Sequence, residues 1–158
     1  MGNKLKNGLM IAAGSELANI VSESRVGSDA YDKINAGYGL EHFVNGATQA
    51  GAFAGLALAA YGLTGFAVKK AMPIASEKTA KAASLTSALS VAYALSQTGV
   101  FREALYNMSA YNHQMQRAVE VIATLGIFAS LVATGALFAK DVYGYASGKI
   151  RAALEKKR

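Results

Sequence analysis

Two histidines, His42 and His113, are the first candidates for metal ligation or proton transfer in this chain. They lie far apart in sequence with too few acidic residues nearby to complete a metal site, and cysteine is absent. Without cysteine the chain has neither disulfides nor thiolate ligands. Hydroxyl chemistry has no better footing. No serine stands in the glycine-flanked elbow of a hydrolase. Gly144-Tyr145-Ala146-Ser147-Gly148-Lys149 has glycine and lysine but neither the spacing of a phosphate loop nor a strand before it. No catalytic residue, metal or cofactor is expected, and no enzyme activity.

Positive charge is the one chemistry the chain offers in quantity. Lys149, Arg151, Lys156, Lys157 and Arg158 crowd a C-terminal tail that reads as a basic helix over 140–158. Such a tail can contact phosphate, either of anionic lipid or of nucleic acid, where binding is strongly salt-dependent. Lipid attraction and control of membrane topology are the favoured roles.

The elements that carry these residues are set by three charge-free runs: His42 to Val68, Ala82 to Phe101 and Val121 to Ala139. A helix needs roughly 20 apolar residues to cross about 30 Å of hydrocarbon. The expected fold is therefore all-α: an integral membrane protein with about three transmembrane helices over 42–139, preceded by a polar region over 1–41. Composition agrees: 53% of residues are hydrophobic and 16% charged, against about 45–50% and 25% in soluble domains. The mean hydropathy is only +0.23, because the first forty residues are polar and the runs are built from Ala, Gly, Ser and Thr. An alanine-rich soluble bundle is the competing architecture, although buried core helices are usually shorter and carry a polar face.

Before the first span, Leu5, Leu9, Ala13, Leu17 and Ile20 recur at helical spacing and predict a short amphipathic helix. It would either pack on the rest of the protein or lie flat in the membrane interface. Its brief apolar run, Leu9 to Ala13, is unlike a cleaved signal, and Lys6 spoils a myristoylation motif at Gly2. From Ser22 to Gly39 the chain turns polar, with breaks at Val26-Gly27-Ser28-Asp29 and Ala36-Gly37-Tyr38-Gly39. The first span should run from about Phe43 to Val68. Pro73 marks the connection after it, and Ser76, Glu77 and Thr79 suggest the start of the next helix. Met108, Tyr111 and Met115 fall in the second connection.

Charge alternates along this plan. The N-terminal region, the two connections and the tail carry net charges of −1, +3, 0 and +4, which account for the +6 of the chain. Positive segments stay in the cytoplasm, so the N-terminus is expected outside and the C-terminus inside. Tyr38 and Phe43, Phe101 and Tyr106, and Tyr143 and Tyr145 flank the spans at headgroup level.

Each span also carries small residues at helical spacing: Ala47, Gly51, Gly55 and Ala59; Ser84, Ala88, Ala92 and Ser96; Gly126, Ser130 and Thr134. Helices in lipid associate through close backbone approach, which small side chains permit. These stripes are the candidate packing residues, within one chain and between copies. No ionisable residue interrupts the runs, whereas ion and substrate paths require them. Gln49 and Gln97 suit interhelical hydrogen bonds, and Glu120 suits a pairing with Arg117.

Three functions fit. The first is a non-catalytic structural or accessory subunit that assembles into an oligomer with itself or other membrane subunits: part of a membrane complex, a pilus-type subunit or a virion membrane protein. Second, the layout of three spans and a basic inner tail resembles that of small phage holins, which implies a pore-former. Third, the order of acidic front, apolar middle and basic end is similar to filamentous phage coat proteins, which implies a helical coat with its tail on nucleic acid.

Overall fold

The computed structural model describes residues 2–24, 27, 30, 37–107 and 113–157. Five helices account for nearly all of them: α1 (Gly2–Glu23), α2 (Gly37–Ala71), α3 (Glu77–Ser96), α4 (Gly99–Asn107) and α5 (His113–Glu155). No strand occurs among the described residues. The protein is all-helical, and α2 and α5 are each long and apolar enough to cross a membrane. At 35 and 43 residues they extend about 52 and 64 Å, well beyond the hydrocarbon thickness.

The helices form an open row. α1 packs on α2, α2 on α3 and α3 on α5, while α4 lies against α2. Among the described residues α1 makes no substantial contact with α3 or α5. Neighbours along the row run antiparallel: Leu5 meets Gly62 and Asn19 meets Thr48 between α1 and α2, and Thr79 meets Asp141 and Leu89 meets Gly126 between α3 and α5. The turn between α2 and α3 is closed by Ala75 N–H donating to Met72 O at 2.9 Å, and Ser76 caps α3 by accepting from Thr79 N–H at 3.3 Å.

The first seam is made by glycine. A Cβ on Gly8 would meet the Gly55 carbonyl at 2.6 Å and the backbone N of Ala59; one on Gly55 would meet the Gly8 carbonyl at 2.7 Å and the backbone N of Ala12; one on Gly62 would meet the backbone of Leu5. The two backbones touch, and glycine is what lets them.

The amphipathic reading of α1 is corrected by this seam. Its buried residues are Gly8, Asn19 and Ser22, whereas Leu9, Ala13, Leu17 and Ile20 are exposed and Leu5 is half-buried. The helix buries its small and polar face and turns its large apolar one outward.

Two boundaries also differ from expectation. α2 starts at Gly37, inside the anticipated break at 36–39. The second apolar run is not one helix: α3 stops at Ser96 and α4 starts at Gly99. Thr98 causes the break locally, since its hydroxyl donates to Leu95 O at 2.6 Å and accepts from Phe101 N–H at 3.3 Å, drawing the backbone out of the helical ladder. α4 then follows α2, with Phe53 and Phe101 rings 5.9 Å apart and His42 Nδ1 3.2 Å from Asn107 Oδ1. Most of the turn-rich connection after Ser24, with Met108, Tyr111 and Arg158, lies outside the described residues.

The glycines divide into two kinds that mutation separates. Gly55→Ala forces two backbones apart and should lower stability by about 1–3 kcal/mol. Gly135 faces open space, so Gly135→Ala should be neutral or stabilising by up to about 1 kcal/mol. Denaturant titration of helicity in mixed micelles measures both.

Candidate functional site

The distribution of side chains between inside and outside is the feature with functional content. The buried apolar residues are Ala52, Ala59, Ala80, Ala104, Leu105 and Ala123, and the largest fully buried side chains are Thr79, Ser84 and Ser96. Large apolar side chains sit on the outside along the whole row: Ile122 is 68% exposed, Leu125 64% and Phe128 69%. The chain exposes 10328 Å², against about 7,500 Å² for a compact globular protein of its mass. Only 11% of the apolar window of α5 is buried. A helix hydrophobic on its uncovered sides needs apolar surroundings, either lipid or another helix.

The predicted packing residues lie on α2, α3 and α5. Gly51, Gly55 and Ala59 face α1, with Gly51 against the Ser15 hydroxyl, while Ala47 is exposed. On α3, Ser84 and Ser96 are buried and Ala88 and Ala92 half-buried; Ser84 Oγ donates to Ala80 O at 2.7 Å and Ser96 Oγ to Tyr93 O at 2.7 Å. Each hydroxyl is thereby satisfied within its own helix, so burial leaves no orphan donor. On α5, Gly126 faces Leu89 of α3, Ser130 is buried and Thr134 half-buried, its hydroxyl donating to Ser130 O at 2.7 Å. Thr86 Oγ1 donates to Ser130 Oγ at 2.8 Å and ties α3 to α5 directly.

Sequence reasoning missed two polar features. The first is Asp141, which was counted only as a tail charge. Its Oδ2 accepts from Ser76 N–H at 2.7 Å and from Thr79 Oγ1–H at 2.6 Å, clamping the far part of α5 to the start of α3. The Thr79 hydroxyl first, and the Ser76 amide second, hold the Asp141 carboxyl below its ordinary value of 3.8, and the positive end of the α3 dipole favours the same charge. Only side chain to helix-start pairing at long range produces this contact, so no local motif announces it.

The second is a polar cluster on α1 and α2. Thr48 Oγ1 donates to Asn19 Oδ1 at 3.1 Å and Asn19 Nδ2 to Glu23 Oε1 at 3.2 Å. Beside them Asn45 Oδ1 and Gln49 Oε1 are buried without a hydrogen-bond partner. Gln97 is the C-cap of α3, and its Nε2 donates to Ser96 Oγ at 3.3 Å. Glu120 accepts from Gln116 Nε2 at 3.1 Å.

The tail continues α5 as exposed helix. Lys149, Arg151, Lys156 and Lys157 are all exposed, and the Lys149 ammonium stands 5.4 Å from the Tyr145 ring centre. No group of three or more His, Cys, Asp or Glu that could hold a metal ion occurs among the described residues. No known protein family, curated protein or solved structure matches the chain.

Two measurements probe the α3–α5 seam. A double-mutant cycle on Thr86→Ala and Ser130→Ala should give a coupling of about 0.6 kcal/mol, the usual size for a hydrogen bond between two helices in apolar surroundings. Because the Asp141 pKa is lowered in the folded state, its contribution is present above 3.8 and fades as pH falls through the folded value. Wild type should therefore be more stable than Asp141→Asn near neutrality, and the two unfolding midpoints should approach each other on acidification below that range.

Proposed function

We propose that the chain is a non-catalytic membrane subunit that builds an oligomeric assembly. The observation that carries this reading is the reversal of the usual partition: Thr79, Ser84 and Ser96 are enclosed while Ile122, Leu125 and Phe128 are exposed. In water such a surface would drive aggregation; in lipid it is the surface a helix needs. α2, α3 and α5 are the three crossing helices. α2 and α5 have the length and apolarity for it, and α3 has 20 residues, about the minimum for a span. The charge pattern sets the tail of α5 in the cytoplasm and the start of α2 outside.

Assembly is favoured by the open row. α5 has a neighbour on one side only, and the apolar face left bare suits a second copy or another membrane subunit. The absence of ionisable residues between Glu120 and Lys140 argues for packing rather than transport along this face.

The chain has no cysteine, which makes crosslinking direct. Single cysteines at Leu125 or Phe128 should form disulfides between copies in native membranes, while Ser84→Cys, fully buried, should not. Light scattering in mild detergent should give a discrete mass of two or more copies. A monomer at every concentration, with no crosslink from the α5 face and no co-purifying membrane subunit, would refute the reading.

A further inference from the structure

The row gathers charge that the sequence keeps apart. α1 runs antiparallel to α2 in a fixed register: Leu5 faces Gly62, Gly8 faces Ala59, Ala12 faces Gly55, Ser15 faces Gly51 and Asn19 bonds Thr48. The Lys4 ammonium lies 4.4 Å from the Tyr61 ring centre. The first turn of α1 therefore stands at the end of the row where α2 finishes with Lys69 and Lys70. α3 starts at that end with Lys78 and Lys81, and Asp141 holds α5 there at Ser76 and Thr79, so Lys140 and the tail belong to it too.

Eleven of the thirteen lysines and arginines among the described residues (Lys4, Lys6, the four around the α2–α3 turn, and five on the far part of α5) thus share one end. Among the described residues the other half holds Glu16, at the level of Gly51, with Glu23, Glu41, Glu103 and Glu120, and Arg102 and Arg117 as its basic residues. Between the two groups, no charge interrupts α2 from Glu41 to Lys69, the α3–α4 stretch from Lys81 to Arg102, or α5 from Glu120 to Lys140.

We infer that α1 crosses the bilayer beside α2 as a fourth membrane helix, and that the basic end of the row is a surface for anionic lipid headgroups. The inference rests on the reading of α2, α3 and α5 as crossing helices. If α2 crosses, α1 shares its depth, because backbone contact from Leu5 to Ala12, continued by side-chain contact at Ser15 and Asn19, cannot survive with α1 lying flat on the surface. At 22 residues α1 is about 33 Å long; Lys4, Lys6 and Glu23 lie near its ends, where the long lysine side chains reach toward the headgroups, and Glu16, exposed at the level of Gly51, is the one charge that the seam carries inside the depth of α2. Its outward residues Leu9, Met10, Leu17 and Val21 are exposed and meet lipid. The alternation of charge counted along three spans put the N-terminus outside; the antiparallel α1–α2 seam instead brings the start of α1 to the side of the tail, and the basic end satisfies the positive-inside tendency more fully.

Single cysteines test this in the full chain, since all three positions are exposed. Asn3→Cys, Gly39→Cys and Ser147→Cys are labelled with a membrane-impermeant maleimide in sealed inside-out and right-side-out vesicles. Asn3→Cys and Ser147→Cys should react only in inside-out vesicles, and Gly39→Cys only in right-side-out ones. Asn3→Cys reacting on the side of Gly39→Cys, with Ser147→Cys opposite, would overturn the fourth crossing and leave the three-span reading standing. Gly39→Cys and Ser147→Cys reacting from one side would overturn the three-span reading itself. Reconstituted with phosphatidylglycerol, the wild-type chain should retain that lipid through detergent washing and a Lys69→Gln, Lys70→Gln, Lys78→Gln variant should retain less; equal retention would overturn the headgroup assignment of the basic end.

Discussion

Backbone contact between α1 and α2 is the constraint on which the rest depends. Gly8, Gly55 and Gly62 bring two helices so close that no side chain larger than alanine or serine fits along most of the seam. An interface that thin has no interior in which to place leucine or phenylalanine. The large side chains must go to the outside, and a single row of helices has two outsides. In water the hydrophobic effect would penalise this severely. In lipid it costs nothing, since the surroundings are as apolar as the side chains, and dispersion contact between close backbones becomes the main term.

Polar groups supply what close packing lacks, namely direction. Thr86 on Ser130 and Thr48 on Asn19 bond across two seams, although each of these hydroxyls also has a carbonyl of its own helix within reach. Asp141 ties α5 to the start of α3, accepting from both its backbone and a side chain. The hydroxyls of Ser84 and Ser96 bond to their own helix and therefore add smallness without adding an obligation. The seams are thus close everywhere and specified at a few points.

The break at Gln97 and Thr98 shows how little is needed to redirect a helix that nothing encloses. One hydroxyl taking a carbonyl and an amide ends α3 and opens α4, and the second piece lies back along α2. As a result α2 is accompanied for most of its length, whereas α5 is accompanied on one side only.

What the sequence determined by itself is the helical class and the presence of long apolar helices, not their number or their ends. Long runs free of charge and small residues at spacings of four follow from composition and periodicity alone and make the chain all-helical, but they count three spans where the structure has two helices long and apolar enough to cross a membrane and breaks the second run into α3 and α4. Ser76 as a helix start was legible for the same local reason. Tertiary structure decided which faces meet. Periodicity tells which residues share a side of a helix, but when the surroundings are apolar it does not tell which side is inward, because leucine is then at home on either. The outward turn of the α1 apolar face, the pairing of Gly55 with Gly8 rather than with another copy, and the hold of Asp141 on Ser76 and Thr79 all depend on contacts between residues distant in the chain, where steric fit and hydrogen bonding, not hydrophobic pattern, choose the partner.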